Sequence, residues 1–155
     1  MANGFGSITN GSTCPGLPMI WMGQEMGACN PKTLEPQPID WTLLSHKDNQ
    51  GLHDHVASLI KLRRATPALR GDCFQVILKD KTNHLFAYKR WTDAGGVVVV
   101  VANLHDIPAG EFTIADAGLE DGSWHEHVVN YDATIVGGVL KDTLGPSEVK
   151  VFIKQ

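Results

Sequence analysis

Along this chain the spacing of apolar residues changes from helical to alternating near residue 72. Upstream, Leu17 to Met22 is an almost continuous apolar run bounded by Pro15, Gly16 and Gly23. A run without alternation suits a strand buried on both faces, as in a parallel sheet. Pro18 then belongs at the strand's beginning, where its missing donor does least harm. Leu52, Val56, Leu59, Ile60 and Arg63 recur at i, i+4 and i+7 and predict one buried stripe of a helix. Asp48 or Asn49 can cap it, Asp54 suits the positive end of its dipole, and Lys61, Arg63 and Arg64 suit the negative end. Pro67 forbids continuation, so the helix is expected over about residues 51–65. Residues 1–13, dominated by Gly, Ser, Thr and Asn, are expected to be weakly ordered, and the proline-rich stretch 28–40 to be a loop.

From Asp72 onward the period is two. Phe74, Val76 and Leu78 alternate, a turn follows over Lys79 to Asn83, and Leu85 to Trp91 is the next strand. Asp93-Ala94-Gly95-Gly96 is a hairpin-type turn leading into a central strand, Val97 to Asn103. Phe112 and Ile114, then Trp124 to Val129, then Thr134 to Leu140 continue the series. On the last strand Val149, Val151 and Ile153 are expected to face inward, with Lys150 and Lys154 outward. The predicted fold class is mainly β. It comprises an antiparallel β-sandwich over 72–155 and, before it, a loop-rich segment over 1–71 with one short strand (about 17–22) and one α-helix (about 51–65).

Composition narrows the classes of function. At 155 residues, 43% hydrophobic and 19% charged, the chain is globular and long enough for a real core. Its longest strongly apolar run, Val97 to Ala102, is far shorter than the ~20 residues of a membrane-spanning helix, so no membrane partner is expected. A net charge of −4 argues against nucleic acid, because the densest basic cluster, Lys61, Arg63, Arg64 and Arg70, is too sparse to track phosphates. Three cysteines, Cys14, Cys29 and Cys73, with no Cys-x-x-Cys pair point to a reducing compartment. With no signal-peptide pattern at the N-terminus, the expected location is cytoplasmic.

Candidate chemistry is thin. His125-Glu126-His127 puts two imidazoles on one face of a strand, but the sequence nominates no third ligand and no metal is expected. His53 and His55 lie two apart on a helix and do not face together. There is no Ser/His/Asp arrangement and no phosphate loop, so neither a catalytic set nor a cofactor is predicted.

Three separate motifs do carry a resemblance. PGLPMIWMGQEMG (residues 15–27), then Pro38-Ile39-Asp40-Trp41 with Leu43-Leu44, then LIKLRRATPALRG (59–71) resemble, in order and spacing, the C-terminal portion of the α-amylase superfamily. The likeness is nearest to α-1,4-glucan branching enzymes and some bacterial amylases, and RWTDAGGVVVVVANL resembles the C-terminal all-β domain of that family. The resemblance implies that residues 17–22 are the eighth strand of a (β/α)8 barrel, 51–65 the eighth helix, and the remainder the sandwich that follows. Gln24 and Glu25 would then lie at the C-terminal end of that strand, where barrel enzymes hold substrate. With Asp40 and Trp41 they are the candidate substrate-binding residues of an intact barrel; the bland alternatives are a loop-capping carboxylate and a tryptophan packed on the helix.

By the same resemblance, the acid and nucleophile carboxylates and a third aspartate belong to the fourth, fifth and seventh strands, upstream of every residue here. No catalytic residue is assigned, and no activity is expected of the chain alone. The function implied is a non-catalytic C-terminal region of an α-glucan-active enzyme. One alternative is a stand-alone α-glucan-binding module using Trp91 or Trp124. Another is an interaction domain, dimerising or docking on a barrel chain through residues 17–22, since an unpaired strand and exposed apolar side chains invite association.

Overall fold

The structure, a computed structural model, describes residues 2–29, 31 and 33–155. Its architecture follows from one strand. Five consecutive valines and an alanine in β3 (Val97–Asn103) send Val98, Val100 and Ala102 to one face and Val99 and Val101 to the other, all fully buried. A strand apolar on both sides must be covered on both sides.

Antiparallel neighbours flank β3 in a six-stranded sheet of order β1-β2-β3-β8-β5-β6, formed by β1 (Cys73–Asp80), β2 (Leu85–Trp91), β5 (Gly122–Glu126), β6 (Tyr131–Ile135) and β8 (Val149–Lys154). On one face lies a two-stranded sheet of β4 (Gly110–Ile114) and β7 (Leu140–Leu144), whose Phe112, Ile114, Leu140 and Leu144 close over Val99, Val101, Trp124 and Phe152. On the other face Leu62, Ala68 and Leu69 pack on Tyr88, Val98, Val100 and Val151. Leu62 belongs to α2 (Lys47–Ala65), and Ala68 and Leu69 to a 3-10 turn over Pro67–Leu69. The sandwich is uneven: six strands against two, with helices closing the second face.

The predicted antiparallel sandwich is present, with several corrections. Thr134 to Leu140 is not one strand but the end of β6 and the start of β7, because Gly137 and Gly138 reverse the chain at φ 62 and 70. Lys150 does not face solvent: it is 5% exposed and its ammonium reaches Tyr131 Oη and Asp142 Oδ1, both at 3.0 Å. The helix begins at Lys47 rather than 51, and neither Asp48 nor Asn49 caps it: Asp48 lies in the first turn, and the capping position belongs to His46. Its buried stripe is Leu52, Val56, Leu59 and Leu62, while Ile60 is 46% exposed. Residues 17–21 form no strand, since none of the described strands pairs with them and an isolated segment of parallel-sheet type has nothing to hydrogen-bond.

The largest departure is α1 (Ala2–Thr13), a helix where weak order was expected. Tertiary contacts override its poor propensity. Arg90 of β2, 1% exposed, donates to the carbonyls of Thr13, Cys14, Leu69 and Gly71, while Arg63 of α2 donates to those of Ser12, Cys14 and Gly16. Two guanidinium groups thus satisfy the Ser12 and Thr13 carbonyls at the end of α1 and complement its dipole.

Candidate functional site

Two motif segments form short turns that pack on α2. Gly23 and Gly27, at φ 77 and 71, bracket a 3-10 turn over Gln24–Met26. Met26 is fully buried against α2, and its carbonyl accepts a 2.7 Å hydrogen bond from Asn49 Nδ2. That anchor fixes the neighbours. Gln24 turns its side-chain oxygen back to accept from the Trp21 backbone N–H at 3.1 Å. Glu25, half-buried, lines an open groove of about 410 Å3 with Ile20, Met22, Ile39, His53, Val56 and Ile60.

A second 3-10 turn, Trp41–Ser45, also packs on α2. Asp40 caps it, accepting from the Thr42 hydroxyl at 2.6 Å and the Thr42 N–H at 3.0 Å, and these bonds hold its carboxyl below the usual carboxylate range. Trp41 is 62% exposed. The capping reading, entertained for Glu25, therefore describes Asp40.

Gln24 and Glu25 lie in one turn that packs on α2 and Asp40 and Trp41 at the start of the other, whereas Trp91 and Trp124 lie on strands of the large sheet. Trp124 is fully buried in the core and donates from Nε1 to the Glu120 carbonyl at 3.0 Å, so it cannot offer a ring face to a sugar. Trp91 is half-buried, with the Lys89 ammonium 5.5 Å from its ring centroid. Sequence reasoning passed over Trp21, 68% exposed beside Gln24, because residues 17–22 read as a strand buried on both faces.

Chemically the groove is an apolar trough with one carboxylate, Glu25, and one imidazole, His53, among its described lining residues. Acid–nucleophile glycoside chemistry needs a second carboxylate opposite the first. His125 of β5 and His127 just after it are committed elsewhere: His125 Nδ1 lies 2.9 Å from Asp132 Oδ1, and His127 Nε2 lies 3.4 Å from Ser58 Oγ. Glu126 between them is fully buried and accepts from the N–H groups of Val128, Val129 and Val151. Among the described residues no group of three His, Cys, Asp or Glu side chains is placed to hold a metal ion, and no helix is long and apolar enough to cross a membrane.

Comparison with protein families finds no match. Comparison with individual proteins is decisive. The chain is 32% identical over 137 residues to the 1,4-alpha-glucan branching enzyme of Pseudomonas putida, a match covering 84% of this chain and 18% of the relative. The enzyme of the same name from Mesorhizobium japonicum is also 32% identical, over 130 residues. This chain is homologous to the C-terminal part of 1,4-alpha-glucan branching enzymes.

The α-amylase-type fold agrees. A Thermus thermophilus protein, Ttha1563, matches 98% of this chain with a TM-score of 0.78 at 21% identity, and an Anoxybacillus alpha-amylase matches 98% with a TM-score of 0.75 at 17% identity. A match that wide includes most of α1, so the helix belongs to the shared fold. The chain spans less than a fifth of the Pseudomonas putida and Mesorhizobium japonicum relatives (18% and 17%) and about a third of these two solved structures (31% and 32%). The fold shared with these structures thus extends over nearly the whole chain, the sandwich and the helical segment before it.

Proposed function

We propose that this chain is a non-catalytic C-terminal region of an α-glucan-active enzyme, structural in role and inactive alone. The observation that carries the reading is the match to branching enzymes over 84% of this chain and only 18% of theirs, joined to a groove with a single carboxylate among its described lining residues. Incubation of the purified chain with amylose, followed by counting of reducing ends and branch points, tests it. Neither should change, and turnover of either kind would overturn the reading. Three free thiols accord with a cytoplasmic setting.

The exposure of Trp41 and Trp21, 62% and 68%, favours a second property, affinity for α-glucan through their open ring faces. Electrophoresis in a native gel cast with amylopectin should retard the chain relative to a non-binding protein. Trp41→Ala and Trp21→Ala should each weaken that retardation, whereas Lys81→Ala, on a remote turn, should not. Unchanged mobility of the unmodified chain would remove this reading.

Leu17 and Met19, 99% and 80% exposed, support docking on a barrel chain or on a second copy. Sedimentation with and without a barrel lacking its last β/α unit distinguishes those outcomes.

A further inference from the structure

The inward face of the small sheet carries one charged side chain. On β7 the positions Leu140, Asp142 and Leu144 alternate toward the core, and both leucines are buried in it. Asp142 stands between them, opposite Phe112 of β4. On β8 Lys150 turns to the same side as Phe152, a member of that core. Each sheet thus places a charge where its pattern asks for an apolar residue, and a buried ion pair repays its desolvation poorly. The two charges meet, with Lys150 Nζ 3.0 Å from Asp142 Oδ1 in a site almost closed to water.

The groups around the carboxyl have the arrangement that acyl substitution needs: a nucleophile, a donor for the oxygen that leaves and a donor for the oxygen that stays. The Tyr131 hydroxyl of β6 donates to Oδ2, and Lys150 Nζ donates to that same hydroxyl oxygen at 3.0 Å. A path for protons therefore runs from the amine through Tyr131 to Oδ2. The Thr143 backbone N–H donates to Oδ1 at 2.6 Å. Lys150 Nζ also sits 5.1 Å from the Tyr131 ring centroid, and the Phe152 ring meets Tyr131 edge-on with centroids 6.5 Å apart. Those contacts hold amine, hydroxyl and carboxyl together. Burial opposes ionisation of Asp142, but its hydrogen bonds outweigh this, so the resting pair is ionic and any substitution is slow.

We propose that Lys150 and Asp142 form a self-cross-linking site, in which an amide bond joins Nζ to Cγ. One Lys150 proton passes through Tyr131 to Oδ2, leaving a neutral amine beside a neutral carboxyl. Nζ then attacks Cγ, and the Thr143 N–H stabilises the charge that gathers on Oδ1. The Cγ–Oδ2 bond breaks, and a second nitrogen proton leaves with that oxygen as water. An ammonium and a carboxylate thus become an amide and one water, with no oxidant or other reagent consumed. Fixed placement replaces a bimolecular encounter, and the near-exclusion of water hinders hydrolysis of the product. The chain folds into the ion-paired state and the amide accumulates from it, tying β7 of the small sheet to β8 of the large one.

Mass spectrometry of the intact chain, denatured after a week at neutral pH, tests this. A species lighter by one water should be present, formed at a rate independent of chain concentration. Trypsin should no longer cut it after Lys150, and fragmentation should show a branched peptide joining Lys150 to Asp142. Lys150→Arg, which keeps the positive charge but has no reactive amine, should stay at full mass. Tyr131→Phe, which breaks the proton path, should slow the water loss about a hundredfold or more. Full mass throughout in the unmodified chain would overturn the cross-link. A water loss that persists in Lys150→Arg would overturn it as well, since Asp142 would then have closed on its own backbone. An undiminished rate in Tyr131→Phe would overturn the role given to the hydroxyl.

Discussion

Lys150 and Asp142 form the ion pair that fastens the small sheet to the large one. Their side chains are 7% and 15% exposed and 3.0 Å apart, and the Tyr131 hydroxyl donates to the other carboxylate oxygen. Burial opposes ionisation of Asp142, but hydrogen bonds from Tyr131, the Thr143 N–H and Lys150 outweigh it and hold the carboxyl below its usual range. Burial, with the same carboxylate adding to it, pushes the Tyr131 hydroxyl far above its ordinary value. Lys150→Met should cost about 3–5 kcal/mol in urea unfolding at neutral pH, because Asp142 is left charged and unpaired. In the unmodified protein the Asp142 contribution is present above about pH 4 and lost as pH falls through its lowered value. In the variant, buried Asp142 takes up its proton earlier, so the deficit should shrink on acidification. This burial was invisible to alternation: Lys150 occupies an outward position by pattern, and its partners lie 8 and 19 residues away.

Among the elements, α1 depends on a close approach. A Cβ at Gly6 would stand 2.1 Å from the Ser147 carbonyl oxygen, a backbone atom that cannot swing aside. Gly6→Val should lift α1 from the β7–β8 loop at a cost of about 1–3 kcal/mol. Its exchange protection should collapse across residues 6–13 with β3 unaffected; retained protection would show that the contact is not what seats the helix. No local signal announces α1, since its glycines and threonines disfavour a helix and its stabilisers lie in α2 and β2. The strands β2 and β3 were legible to the residue because their apolar faces are continuous and turn residues bound them. The Gly137-Gly138 turn, flanked by Ile135, Val136, Val139 and Leu140, was masked by that apolar run. Of the motif residues singled out by resemblance, Glu25 lines the groove, whereas Gln24, Asp40 and Trp41 lie in or beside the two short turns on α2. The burial of Trp124 was not legible, since it depends on which neighbours the fold supplies.

At the scale of the molecule, three layers protect one strand. Val97 to Ala102 is an uncharged hexapeptide without proline, five of its residues β-branched, the composition of a steric zipper. In the folded chain both its edges are taken, by β2 just before it and by β8, which begins only at Val149. A chain under synthesis therefore carries the pentavaline with one edge open until its last strand arrives. Solubility of the whole protein is, on this reasoning, a race between β8 docking and intermolecular stacking. Val151→Asp places a charge opposite Val100, in a fully buried position, and should lose that race. The product expected is fibrillar aggregate with a reflection near 4.7 Å, whereas Val100→Lys, which charges the zipper itself, should leave unfolded chains that do not form fibres.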